Sequence, residues 1–128
     1  MSRILLIEDD PIQSYVLATY LRKYCTAEVI ACTGEECMKY LPSMKHIDVA
    51  IMDWYIIPGH NGSPVIQCIR NTEPQAKIIV YTSSLEKGDE VEALRAGADR
   101  FMKKTGHLAE LRDCLNAYFE PIKEPVKK

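Results

Sequence analysis

The sequence predicts an α/β fold, a doubly wound parallel sheet with helices on both faces, and three observations carry that expectation. The runs Ile4-Leu5-Leu6-Ile7, Val49-Ala50-Ile51-Met52 and Ile78-Ile79-Val80-Tyr81 are apolar without alternation, the pattern of strands buried on both sides. Stretches with apolar residues at helical spacing lie between them. Strand and helix alternate along the whole chain, and short right-handed crossovers leave few topologies other than a parallel sheet.

At 128 residues the chain fits one domain, and 47% hydrophobic with 27% charged residues is an ordinary globular composition. A net charge of −2 gives no basic field for gripping phosphates, so direct nucleic acid binding is not expected. Only four apolar residues, Ile4 to Ile7, precede the first acid. That is too few for a signal peptide or a membrane span, and a cytoplasmic location without membrane contact is expected. The five cysteines, Cys25, Cys32, Cys37, Cys68 and Cys114, contain no C-x-x-C pair. They read as small buried apolar residues rather than a zinc site or a disulfide framework.

The first strand is Ile4 to Ile7, and in Glu8-Asp9-Asp10-Pro11 it is Asp10 that caps a helix with Pro11 at its first position. That helix is expected over residues 11–23, with Ile12, Tyr15, Val16, Ala18, Tyr20 and Leu21 toward the sheet. Residues 28–31 form a short strand near an edge. Thr33-Gly34-Glu35-Glu36 is a capping box opening the second helix, which Pro42 ends. The third strand covers residues 48–52, and a loop over residues 54–62 carries Pro58-Gly59 as turn chemistry. Ser63-Pro64 then reads as N-cap and first position of the third helix. Strand four covers residues 77–81, helix four residues 85–96 with Gly97 as its stop, and strand five residues 100–103. The last helix carries Leu108, Leu111, Leu115, Tyr118 and Phe119, and its stripe is mainly core packing. Residues 1–120 make up the domain, and residues 121–128 a flexible C-terminal tail or the start of a linker.

The expected strand order is 2-1-3-4-5, the flavodoxin-like arrangement, with ligands at the carboxyl ends of strands one and three. Glu8, Asp9 and Asp53 then meet at one sheet edge. Carboxylates gathered this way need a cation, and hard oxygen donors suit Mg²⁺, which takes one or two carboxylates together with phosphate oxygens. Thr82 after strand four and a lysine after strand five complete a rim able to hold a phosphoryl group in line with an oxygen nucleophile.

Four segments together resemble the receiver domain of bacterial two-component response regulators, the CheY-like superfamily. They are Ile4-Leu5-Leu6-Ile7-Glu8-Asp9-Asp10-Pro11, Ile51-Met52-Asp53, Tyr81-Thr82-Ser83 and Gly97-Ala98-Asp99-Arg100-Phe101-Met102-Lys103-Lys104. The resemblance implies a phosphorylation-dependent switch in which Asp53 accepts a phosphoryl group from a sensor histidine kinase or a histidine phosphotransfer protein. It implies Mg²⁺ on Asp9 and Asp53, with Glu8 acting through water and the backbone carbonyl of Tyr55 as a further ligand. Thr82 would bond a phosphoryl oxygen, Lys104 would pair with the phosphate, and Phe101 holds the place of the aromatic switch. A downstream protein or output domain would read the face of helix four, strand five and helix five. Such a protein catalyses its own phosphoryl transfer and slow autodephosphorylation, not turnover of external substrates.

Two departures stand out. Trp54-Tyr55-Ile56-Ile57 gives the loop after Asp53 one residue more than the family usually has before its proline, and Tyr55 beside the phosphoryl group would slow attack by water. Thr105 stands where the family usually has proline, leaving the lysine's loop less constrained. Lys103 is the lesser candidate beside Lys104. Taken singly, Glu8 or Asp9 reads as a solvated strand end, Thr82 as a turn residue, Phe101 as core, and His46, His60 and His107 as surface or loop residues, with His60 in the long loop where it could touch the site. Other functions on the same fold fit the sequence less well. A flavin or nucleotide binder needs a Ser/Thr/Gly-rich loop where this chain is acidic, and an aspartyl phosphatase needs a second acid where Tyr55 stands. A degenerate receiver acting as a phosphorylation-independent interaction module is the alternative.

Overall fold

Among the described residues five strands alternate with five α-helices, and a short 3-10 turn, Leu41–Ser43, follows the second helix. The strands are β1 (Arg3–Ile7), β2 (Glu28–Cys32), β3 (Val49–Met52), β4 (Lys77–Thr82) and β5 (Arg100–Lys103). The helices are α1 (Pro11–Tyr24), α2 (Gly34–Tyr40), α3 (Ser63–Thr72), α4 (Asp89–Ala96) and α5 (Leu108–Leu115). This computed structural model describes residues 2–44, 46–56, 61–83 and 86–119. Pro58-Gly59, His60, Leu85 and the tail at 121–128 lie outside the described residues.

All strands are parallel, in the order β2-β1-β3-β4-β5, the expected flavodoxin-like arrangement with β2 at an edge. Period-two alternation divides each central strand between two cores. Ile4 and Leu6 of β1, Val49 and Ile51 of β3, and Ile79 and Tyr81 of β4 pack on α1 and α5. Leu5, Ile7, Ala50, Met52, Ile78 and Val80 pack on α2, α3 and α4 through Cys37, Leu41, Val65, Ile66, Ile69 and Ala93. Both faces are thus covered, which is why these strands read as unbroken apolar runs.

Helix starts follow their sequence signals. Asp10 Oδ1 accepts the amides of Ile12 and Gln13 at 2.9 and 3.4 Å, with Pro11 as the first helical residue. Thr33 Oγ1 accepts Glu36 N at 3.1 Å while Glu36 Oε1 accepts Thr33 N at 2.8 Å, closing the capping box. Gly97 ends α4 at φ 125°, where its amide serves Ala93 and Leu94 carbonyls and a side chain would be strained.

Four expectations need correction. The buried stripe of α1 is Leu17, Ala18 and Leu21, whereas Ile12, Tyr15 and Val16 are exposed, because only one side of the helix can meet the sheet and these lie off it. Gly62, not Ser63, is the N-cap of α3, and Ser63 is its first residue. A methyl at Gly62 would collide with Met52 Cε and press on Trp54, so a side chain there requires the flexible end of Met52 to shift. Helix α4 begins at Asp89, since Gly88 adopts φ 95° immediately before it. The last helix is also shorter than its stripe: Tyr118 and Phe119 lie just beyond α5, and Phe119 still packs against the core.

The cysteines are as expected in the main. Cys25, Cys32, Cys37 and Cys114 are buried free thiols, and Cys68 is half-buried.

Candidate functional site

Register brings the site together. Ile7 pairs with Met52, Met52 with Val80 and Thr82 with Lys103, so β1 and β3 end level while β4 and β5 run two residues further beside them. Beyond those ends the ladder continues, with Glu8 N on Cys32 O at 3.0 Å, Asp53 N on Ile7 O at 3.4 Å and Lys104 N on Thr82 O at 2.8 Å. Residues far apart in sequence are therefore held side by side by backbone bonds.

Asp53 lies at the centre. Its Oδ1 accepts the Thr82 hydroxyl at 2.7 Å and the Tyr55 amide at 3.2 Å. Its Oδ2 accepts Lys104 Nζ at 3.0 Å. The same ammonium donates to Glu8 Oε1 at 2.9 Å and Gln13 Oε1 at 2.7 Å, and it stands 5.8 Å from the centre of the Tyr81 ring. Side-chain exposure is 12% for Lys104, 7% for Glu8 and 15% for Asp53, so the three charges interact largely out of water. Burial alone would lower the Lys104 pKa, but bonds to Glu8 and Asp53 outweigh it and hold the ammonium above its ordinary range.

The carboxylates do not form one ready-made cage. Glu8 and Asp53 meet across Lys104, while Asp9 Oδ1 accepts the Gly34 amide at 2.8 Å, at the first residue of α2. Among the described residues no group of three His, Cys, Asp or Glu side chains is close enough to hold a metal. Each acid has found positive charge or an amide donor, as clustered carboxylates must. The donor set still fits Mg²⁺, because hard oxygens at a strand end that already gather a cation suit an ion content with one or two carboxylates.

Lys104, not Lys103, reaches Asp53, and Lys103 is exposed. Phe101 is half-buried on β5, beside Val80 of β4 and packed against the core that includes Ala93 and Ala98. Thr105 holds its turn by side-chain bonds: it donates to Glu110 Oε1 at 3.0 Å and accepts the His107 amide at 3.3 Å. The expected looseness at this position is thus met by hydrogen bonds to α5. His46 and His107 are exposed and outside the site. Trp54 is fully buried, directly after Asp53.

Two contacts were not legible in the sequence. Gln13, at the third position of α1, supplies an oxygen to Lys104, and only its place in the first turn after an acidic strand end hinted at it. Tyr55 donates its hydroxyl to Asp89 Oδ2 at 2.7 Å across 34 positions, a distance that no periodicity signals.

The strand ends of this parallel α/β sheet gather one further acid, Glu8, a hydroxyl, Thr82, and a lysine, Lys104, around Asp53. The chain belongs to the response regulator receiver domain family, whose profile matches residues 4–116. Members of this family serve as phosphorylation-dependent switches in two-component signalling and interact with histidine kinases and output domains. The chain is 30% identical over 115 residues to the two-component response regulator PhoP of Pseudomonas aeruginosa, covering 90% of this chain and 50% of that protein. It is 29% identical over 109 residues to a cyclic di-GMP phosphodiesterase of Thermotoga maritima, covering 85% of this chain and 28% of that protein. The chain thus spans half or less of these curated relatives. Among solved structures it resembles the response regulator TrrA of Thermotoga maritima in complex with Mg²⁺-BeF, with TM-score 0.77, 29% identity, and 91% and 98% of the two chains covered. No described helix is long and apolar enough to cross a membrane.

Proposed function

We propose that Asp53 accepts a phosphoryl group from a phosphohistidine of a sensor histidine kinase or phosphotransfer protein. One observation carries the reading: a single aspartate receives a hydroxyl donor at 2.7 Å on one oxygen and an ammonium at 3.0 Å on the other. A carboxylate oxygen attacks phosphorus, the bond from phosphorus to the imidazole nitrogen breaks, and its electron pair returns to the ring. Lys104 then pairs with a phosphoryl oxygen in place of a carboxylate oxygen, and Thr82 turns its hydroxyl to another. Asp9, Asp53, Glu8 through water and the Tyr55 carbonyl would hold Mg²⁺. When bound, that ion supplies positive charge that neutralises the phosphoryl oxygens and orients them for in-line attack.

The exchange of partners at Thr82 and Lys104 is the switch. Both are anchored at the ends of β4 and β5, beside half-buried Phe101, which follows by moving inward. The reading face is α4, β5 and α5, where Val91 and Leu94 of α4 are exposed apolar residues suited to a downstream protein or output domain. The domain spans residues 1–120, with residues 121–128 as tail or linker, and it works in the cytoplasm, catalysing only its own phosphoryl transfer and slow hydrolysis. Incubation with acetyl phosphate and Mg²⁺ followed by intact mass tests this. One added phosphoryl group on the wild type and none on Asp53→Ala is expected, and an unmodified wild type refutes it in favour of a phosphorylation-independent interaction module.

A further inference from the structure

We propose that Tyr55 is a two-ended positioning residue that couples the charge on Asp53 to the start of α4. The inference rests on phosphorylation of Asp53. At one end the Tyr55 amide donates to Asp53 Oδ1 at 3.2 Å, and at the other its hydroxyl donates to Asp89 Oδ2 at 2.7 Å. Asp89 is the first residue of α4 and 5% exposed. Among the described residues its Oδ2 accepts one further donor, the Glu86 amide at 2.8 Å. A carboxylate so little hydrated depends on these two donors, because an uncompensated buried charge is costly.

The loop is tied to α4 a second time, more weakly, through Asn61 Nδ2 and Glu92 Oε2 at 3.3 Å. Gly88, at φ 95° with open space about it, precedes α4 and gives the helix start a hinge. The Tyr55 residue itself is 41% exposed, so its two ends rather than close packing fix it.

The coupling follows from charge. Forming the acyl phosphate turns one Asp53 oxygen into the bridging oxygen and the other into a neutral carbonyl. The bond from the Tyr55 amide then changes from charge-assisted to neutral and loses roughly half its strength. That weakening lets the Tyr55 amide turn to a phosphoryl oxygen, as Thr82 and Lys104 do, while its hydroxyl remains on Asp89, so the shift of the Tyr55 backbone pulls on the helix start. Coupling is reciprocal, and the Tyr55 hydroxyl in turn biases the affinity of Asp53 for a phosphoryl analogue.

The test uses Mg²⁺ and beryllofluoride with the full chain. Fluorescence of Trp54 reports the adduct, and the Glu86 amide resonance, one bond from Asp89, reports the helix start. In the wild type both respond. In Tyr55→Phe the adduct still forms, its apparent affinity differs roughly 5-fold or more from wild type, and the Glu86 shift falls by at least half. Tyr55→Phe combined with Asp89→Asn changes affinity no further than either alone. A full Glu86 shift and unchanged affinity in Tyr55→Phe overturn the coupling while leaving Asp53 chemistry standing. A wild type that forms no adduct and takes no phosphoryl group overturns both.

Discussion

Removing the ammonium from the site gives the sharpest test of how its charges are balanced. In Lys104→Met the stem volume is kept, while Glu8 and Asp53 lose a partner at 2.9 and 3.0 Å. At an effective dielectric near 20, unit charges at such separations attract by roughly 5 kcal/mol. Desolvation of each ion offsets several kcal/mol of that, so the intact trio is close to neutral in free energy. Removing the cation alone leaves the desolvation uncompensated and adds repulsion between the two acids, and the expected loss is about 3–5 kcal/mol. Asp53→Asn keeps the Lys104–Glu8 pair and should lose much less. Urea unfolding at pH 7 in EDTA, followed through buried Trp54, measures both. Saturating Mg²⁺ should then restore more stability to Lys104→Met than it adds to the wild type, because no ammonium competes for the same oxygens. A Lys104→Met protein within about 1 kcal/mol of wild type in EDTA, against a cost of several for an orphaned pair, would refute the reasoning.

Two further outcomes follow from neighbouring contacts. The Asp89 carboxylate, through its hydrogen bond, pushes the Tyr55 phenol up to about 12 from an ordinary value of 10.0, and the folded state therefore holds that proton more tightly. Stability from this bond is complete below pH 10 and disappears as pH rises toward 12, so Tyr55→Phe should show a shallower loss in alkaline unfolding curves over that window. Arg70 ties the starts of β4 and β5 to α3, donating to Gly97 O at 2.6 Å, Asp99 Oδ2 at 2.7 Å and Ala76 O. Arg70→Met leaves those acceptors short of donors and should cost about 2–4 kcal/mol in urea unfolding, with no change in whether Asp53 takes a phosphoryl group.

The legible part of the fold was whatever depends on one element's own surroundings. Strands covered on both faces announce themselves as apolar runs, and Asp10, Thr33 and Gly97 act within a turn of where they stand. Helix α1 misled because apolar residues were counted without a face: Leu17, Ala18 and Leu21 meet the sheet, while Ile12 and Tyr15 do not. The start of α4 was written in its charges, Asp89, Glu90 and Glu92 in the first turn against the helix dipole, rather than in its apolar spacing. Gln13 and Asp89 escaped notice for a different reason. Each contributes through a partner far along the chain, Lys104 for one and Tyr55 for the other, and single-sequence patterning carries no record of such pairings.

What makes the site is register, and this ties the chemistry to the fold more closely than a catalogue of side chains suggests. Asp53, Glu8, Thr82 and Lys104 meet because β1 and β3 end level and β4 and β5 run two residues further beside them, and a slip of one residue in any of them would send its side chains to the opposite face. Glu8 and Asp53 are tolerable where they are only once Lys104 arrives from 96 and 51 positions away. The edge strand β5 therefore does more than complete the sheet: it delivers the charge that lets two acids stand together at the centre. A phosphoryl group that claimed this ammonium, as proposed, would act on the strand itself. On the proposed reading, movement after phosphorylation is expected in β5 and its neighbours, α4 and α5.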